Sequence, residues 1–250
     1  RRQGYFILTG SAPAEPDVEP LLEEMLRRRV DGLLILNPRA DGRYRYFLPL
    51  IEKGVAVVYA GNSPAEEAAS SVRCDDREGG YRATRYLIDL GHTAIATVSG
   101  PDNEECTVDR LEGYRQALSQ TGLRIDSALV VSGDWSATSG YQATQRLLGT
   151  GRDFSAIFAQ NDRMAIGAIH ALREADCRVP ADISVVGFDD IPMASYFDPP
   201  LTTLHQLLES LGRQAAQLLI ETIQDPYRQP SQVLIPARFV ERLSCAPPCE

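Results

Sequence analysis

The sequence contains no run approaching the ~18 consecutive apolar residues of a membrane-spanning helix, so no membrane partner is expected. It has no block of lysine and arginine, and its formal charge is −9. A segment that gripped the phosphate backbone unaided would need a basic face, so these residues are not expected to hold nucleic acid themselves. Glycine-rich phosphate loops are missing too: Gly79-Gly80 lacks the rest of a P-loop. Histidine is scarce. His92, His170 and His205 stand in no Ser/His/Asp or Cys/His order near strand ends, and each is expected to be structural. Asp189-Asp190 are chain neighbours and would not flank one substrate from two sides, so the chain is not expected to be an enzyme. The five cysteines (Cys74, Cys106, Cys177, Cys245, Cys249) are odd in number and scattered, and Cys245 and Cys249 have no histidine nearby. That pattern predicts reduced thiols in a cytoplasmic protein, with no disulfide framework, no metal and no cofactor. The chain opens on Arg1-Arg2-Gln3 and passes directly toward an expected strand, so no signal peptide is expected.

What is present is an alternation of apolar strands and amphipathic helices. Its clearest stretch runs from Phe154 to Asp190. Phe154, Ile157 and Phe158 form a short apolar strand; Gln160, Asn161 and Asp162 turn the chain into a helix. Ala165, Ile169 and Leu172 recur at i, i+4 and i+7 on that helix, marking its buried face. Ile183, Val185, Val186 and Phe188 make a second strand. Apolar strands separated by an amphipathic helix predict a parallel βαβ unit buried on both faces. Ligands in such sheets sit at the carboxyl ends of the strands. Here those ends carry Asn161 and Asp189.

The same alternation runs through the chain. Strands are predicted at Gly4–Leu8, Val30–Leu36, Val55–Tyr59, His92–Ser99, Leu129–Val131, Val233–Ile235 and Phe239–Val240, and helices at 21–29, 80–90, 107–120, 136–148 and 207–223. Gly91 fits the position after a helix, where a left-handed backbone is cheap only for glycine. The fold class is therefore α/β with right-handed crossovers, and 250 residues with 44% hydrophobic content accommodate one large domain or two lobes.

Several motifs, in order, carry a resemblance: Gly79-Gly80 with Tyr86-Leu87 and Leu90-Gly91-His92; Asp109-Arg110-Leu111-Glu112-Gly113-Tyr114; Asn161-Asp162-Arg163-Met164-Ala165; Val179-Pro180 with Ile183-Ser184-Val185-Val186-Gly187-Phe188-Asp189-Asp190; and Pro200-Leu201-Thr202-Thr203. Each alone is unspecific. Together they span essentially the whole chain and resemble the effector-binding core of LacI/GalR-type bacterial transcription regulators. That resemblance implies a two-lobe, type I periplasmic-binding-protein-like fold, each lobe a mainly parallel sheet flanked by helices, with three crossovers near Gly91, His205 and Pro236. One lobe would hold residues 1–91 and 206–235, the other 92–204 and 237–250. It also implies a homodimer with a small-molecule effector in the cleft, and operator DNA bound by an N-terminal helix-turn-helix domain that these residues do not include. The core's first strand and helix would likewise lie outside them.

Strand-end position and resemblance agree on the candidate ligand residues. Asn161 offers an amide donor and acceptor to sugar hydroxyls, although the same residue, or Asp162, could cap the helix. Asp189 offers an acceptor, with a turn-forming role as the alternative. The Arg110 fork can clamp vicinal hydroxyls or a carboxylate, or pair on the surface with Glu104 or Asp109. Trp135, the only tryptophan, can stack on a pyranose or pack inside its lobe; Gly133-Asp134-Trp135-Ser136 resembles the lactose-type branch of the family. Leu208 stands where some relatives place an aromatic. Asp75, Asp76 and Glu78 precede a helix, where ligand contact, hinge and capping are all open. The resulting expectation is a regulator, most simply a repressor, that answers to a sugar. A purine or nucleoside effector, or a transporter's sugar-binding protein, are the alternatives.

Overall fold

The computed structural model describes residues 4–36, 42–61 and 69–249. The chain divides into two compact units, Arg1–Arg73 with Glu209–Val233 and Cys74–Leu208 with Leu234–Glu250.

In the first unit, α1 (Val18–Arg27), α2 (Leu48–Glu52) and α7 (Leu208–Gln224) accompany the strands β1 (Gly32–Ile35), β2 (Ala56–Ala60), β3 (Ser70–Cys74) and β9 (Gln232–Ile235). The sheet order is β1-β2-β3-β9, with β1–β2 and β2–β3 parallel. All five residues of β2 are buried, as a continuous apolar run in a covered sheet should be. Tyr59 anchors this core, meeting Tyr44 and Phe47 edge-on at 5.7 and 6.1 Å between ring centroids. One expected strand is missing here and one unforeseen strand is present. The apolar run Gly4–Leu8 forms no strand, and Phe6 and Ile7 are 86% and 87% exposed; an apolar run makes a strand only where a neighbour supplies hydrogen bonds. Conversely, β3 is polar (SSVRC) yet buried, held between β2 and β9.

The second unit contains α3 (Asp76–Asp89), β4 (Ile95–Ser99), α4 (Glu105–Gln120), β5 (Val130–Ser132), α5 (Ala137–Gly149), β6 (Ala156–Ala159), α6 (Asp162–Glu174), β7 (Ser184–Val186), β8 (Thr203–His205) and β10 (Arg238–Val240). Its main sheet is parallel, in the order β5-β4-β6-β7, and β8 pairs antiparallel with β10. Alternate strand residues face opposite layers. Ala96, Val98, Ile157 and Ala159 pack with α5 and α6; Ile95, Ala156 and Phe158 pack with α3 and α4.

Glycines set how closely these helices approach. A Cβ on Gly80 would lie 2.2 Å from the Arg110 carbonyl oxygen, and one on Gly113 would lie 2.1 Å from that of Arg77. This contact ties α3 to α4. Helix α3 therefore falls in the second unit, ahead of the crossover expected near Gly91.

Candidate functional site

Within the second unit, the start of α3 and the carboxyl ends of four strands converge on one set of side chains. Asp76 follows β3 at the start of α3; the loop after β4 leads to Arg110 on α4. Trp135 follows β5, Gln160 and Asn161 follow β6, and Phe188 and Asp189 follow β7.

Arg110 is the centre. It is 4% exposed, and its Nε donates to Asp76 Oδ1 at 2.7 Å. Its Nη1 donates to the Gln160 carbonyl. The guanidinium carbon sits 3.7 Å from the Phe188 ring centroid and 5.7 Å from that of Trp135. Burial works against its charge, but Asp76 and then Asp189 outweigh that cost, so its pKa stands above the usual arginine range. Cation and carboxylates hold one another in a space that would exclude either alone. Gln160, fully buried, braces the surrounding loop: its Oε1 accepts from Gly100 N at 3.2 Å and its Nε2 donates to Thr107 O at 3.4 Å.

Trp135 has a left-handed backbone (φ 70°) that only a fixed setting would hold in a bulky residue. Two bonds fix it. Its Nε1 donates to Glu104 Oε2 at 2.8 Å, and its carbonyl accepts from Asn161 Nδ2 at 3.0 Å. Gly100 gives the indole room, since a Cβ there would lie 2.1 Å from the ring. Asn161 is also the N-cap of α6, its Oδ1 accepting from Met164 N at 2.8 Å. The cap that the sequence leaves open beside ligand contact forms here, and a second amide N–H stays unspent.

Asp189 also lies in the left-handed region (φ 113°), as does Asp190 (φ 55°). Asp189 N donates to Leu204 O at 2.8 Å, and Gln206 Nε2 donates to Asp189 Oδ1 at 2.6 Å. Burial raises the Asp189 pKa, while Arg110 and the Gln206 bond pull it back. Asp190 turns away to His205 Nδ1 (3.0 Å) and Arg242 Nη2 (2.6 Å).

The remaining candidates separate. Asp75 caps α3 by accepting from Glu78 N at 3.0 Å. Asp76 is the buried partner of Arg110, in place of the surface pairing with Glu104 or Asp109 that spacing suggested. Glu78 is exposed. Leu208 opens α7 and is 64% exposed. Sequence reasoning missed Phe188 beneath the guanidinium, Gln206 on Asp189 and Glu104 on the indole; no local spacing signals contacts made across 17 to 78 positions of chain. The five cysteines are free thiols, and burial pushes Cys74 and Cys106 up to about 12. Among the described residues no cluster of His, Cys, Asp or Glu could hold a metal ion, and no helix is long and apolar enough to cross a membrane.

Residues 84–245 match the family model of the periplasmic binding protein-like domain. The chain is 38% identical over 242 residues to the HTH-type transcriptional regulator CelR of Thermobifida fusca, covering 96% of this chain and 70% of that protein. It belongs to the LacI family of transcriptional regulators. It is also 36% identical to the ribose operon repressor of Escherichia coli K12 over 96% of its length and 73% of that relative. Among solved structures it is similar to a CelR–cellobiose complex, with a TM-score of 0.88 and 35% identity over 97% of this chain and 74% of that one. The chain is thus the effector-binding core of a LacI-family regulator, and the relatives it matches are transcriptional regulators rather than enzymes.

Proposed function

We propose that this regulator core answers to a small sugar held by Arg110, Trp135, Asn161 and Asp189. The observation that carries the reading is the buried Arg110 guanidinium, paired with Asp76 and stacked on Phe188 beside Trp135 and Asp189. A sugar ring presents an apolar face to an indole and hydroxyls at its rim. The Nη2 edge of Arg110 and the second N–H of Asn161 donate to those hydroxyls; the Asp189 carboxylate accepts from them. The ion pair pre-orients the fork, so little side-chain freedom is lost on binding. Asp75, Asp76 and Glu78 act as cap, positioning partner and surface residue. Leu208 offers no aromatic face, so stacking comes from Trp135.

The effector acts through its differential affinity for two arrangements of the regulator, and operator affinity shifts by the reciprocal coupling free energy. DNA is gripped by a helix-turn-helix domain outside these residues, in keeping with a formal charge of −9 and the name of the CelR relative. The protein works as a cytoplasmic homodimer, which light scattering on the eluted species will register as twice 27.5 kDa.

The test is thermal unfolding and calorimetry against cellobiose, ribose, other mono- and disaccharides, purine bases and nucleosides. A sugar at a hundred times its Kd stabilises by about 2.7 kcal/mol. A response to purines alone transfers the site to that effector class, and silence across the panel sinks the small-ligand reading.

A further inference from the structure

Asp162 is the first residue of α6, where a carboxylate normally does no more than favour the positive end of the helix. Here it is fully buried and leaves the capping to Asn161. Its bonds instead bracket one short turn. Its backbone N–H donates to Phe188 O at 2.7 Å, on the near side of Asp189. Its Oδ2 accepts from Ile191 N at 2.8 Å, on the far side. Its Oδ1 accepts from the Thr203 hydroxyl at 2.5 Å, which ties the same carboxylate to β8. Gly187 lies so close that a Cβ would fall 2.3 Å from Oδ1. Between the two brackets stand Asp189 and Asp190, both left-handed. Non-glycine residues stay in that region only where their surroundings over-determine it.

The burial is unfavourable in itself. It drives the Asp162 carboxyl up to about 7, against the pull of the Thr203 and Ile191 bonds, and the charges of Asp189 and Asp190 push the same way. A buried acid beside two like charges that only anchored α6 would be better replaced by a neutral cap; two of its bonds bracket the turn, and the third fixes the carboxylate to β8.

We propose that Asp162 is a positioning residue for effector recognition, its carboxylate holding the Gly187–Ile191 turn so that Asp189 faces the ligand. The inference rests on the reading of Asp189 as a ligand group. It concerns a residue that does not itself touch the effector.

The experiment uses the 250-residue chain with cellobiose and ribose as probes, and amide hydrogen exchange on the sugar-free protein. Asp162→Ala is expected to speed exchange of the 187–191 amides tenfold or more while the β6 amides keep their protection. Affinity for the bound sugar is expected to fall at least tenfold. In an Asp189→Ala background the same substitution is expected to cost no further affinity, because it acts through that residue. Asp162→Asn keeps an acceptor for Ile191 N and is expected to restore most of the loss, which a merely structural defect would not predict. Unchanged exchange in the turn overturns the inference, and so does a full additive loss in the Asp189→Ala background. Should Asp189→Ala alone leave affinity intact, or the wild-type chain bind neither these sugars nor any other compound of the panel above, the ligand reading falls and takes this inference with it. Either failure shows before any Asp162 variant is compared. If Asp162→Ala does not fold, Thr203→Val, which removes one of the three tethers, is expected to speed the same amides threefold or more; no change there refutes the proposal equally.

Discussion

Replacing Arg110 by methionine is the sharpest perturbation of this core. The methionine fills much of the same volume and keeps contact with Phe188, so the change is mainly one of charge. Arg110 and Asp76 have side chains 5% and 10% exposed and lie 2.7 Å apart. Removing one partner of a buried pair leaves the other charge in a poor solvent, at about 3–5 kcal/mol. Against a total stability of about 5–15 kcal/mol this is a large fraction. With a urea slope of about 2 kcal/mol/M, the midpoint should fall by about 2 M. Trp135 is the only tryptophan and lies in the second unit, so its fluorescence follows that unit specifically. Adding Asp76→Asn to Arg110→Met removes the buried carboxylate that has lost its Arg110 bond and should recover about half of the loss. A single-variant cost below about 1 kcal/mol, or a further loss on adding Asp76→Asn, would refute the argument that burial makes this pair interdependent.

Two further outcomes follow from the same unit. Gly80→Ala should destabilise by about 1–3 kcal/mol in the same urea assay, because its Cβ meets backbone at Arg110 and α3 and α4 must part; Gly149→Ala, with nothing within 4 Å, should not. His92 is buried, its Nδ1 2.8 Å from Ser155 Oγ and its Nε2 3.0 Å from Ala246 O, and burial lowers its pKa below 6.5 despite the Ala246 bond. The unfolded chain therefore binds the proton first, and stability is lost as pH falls from about 7 through the folded pKa. Scanning calorimetry from pH 7.5 to 5.5 should show a steeper fall for wild type than for His92→Gln; parallel curves would count against it.

The pattern of the residues was enough to place the elements of the second unit except β8, whose Thr-Leu-His run is a strand through its pairing with β10. Its helices show apolar spacing along one face and its other strands are short apolar runs, so burial follows from local order alone: Ala165, Ile169 and Leu172 are all fully buried. The same logic put Asn161 and Asp189 at strand ends. It failed where pairing, not hydrophobicity, makes the strand. Gly4–Leu8 has the apolar run without a partner, while β3 has partners without the run.

Side-chain partnerships were beyond its reach for a related reason. Arg110 stands 34 positions from Asp76 and 78 from Phe188, separations that no helical or strand period links. The parallel sheet brings successive strand ends to one edge, and the Gly80–Gly113 contact draws α3 against α4, bringing carboxylate, guanidinium and aromatic ring within a few ångströms. Candidate ligand residues could therefore be named from the chain. Which of them are already spent, as Asn161 partly is on its cap and Trp135 on Glu104, depended on contacts that exist only once the layers have packed.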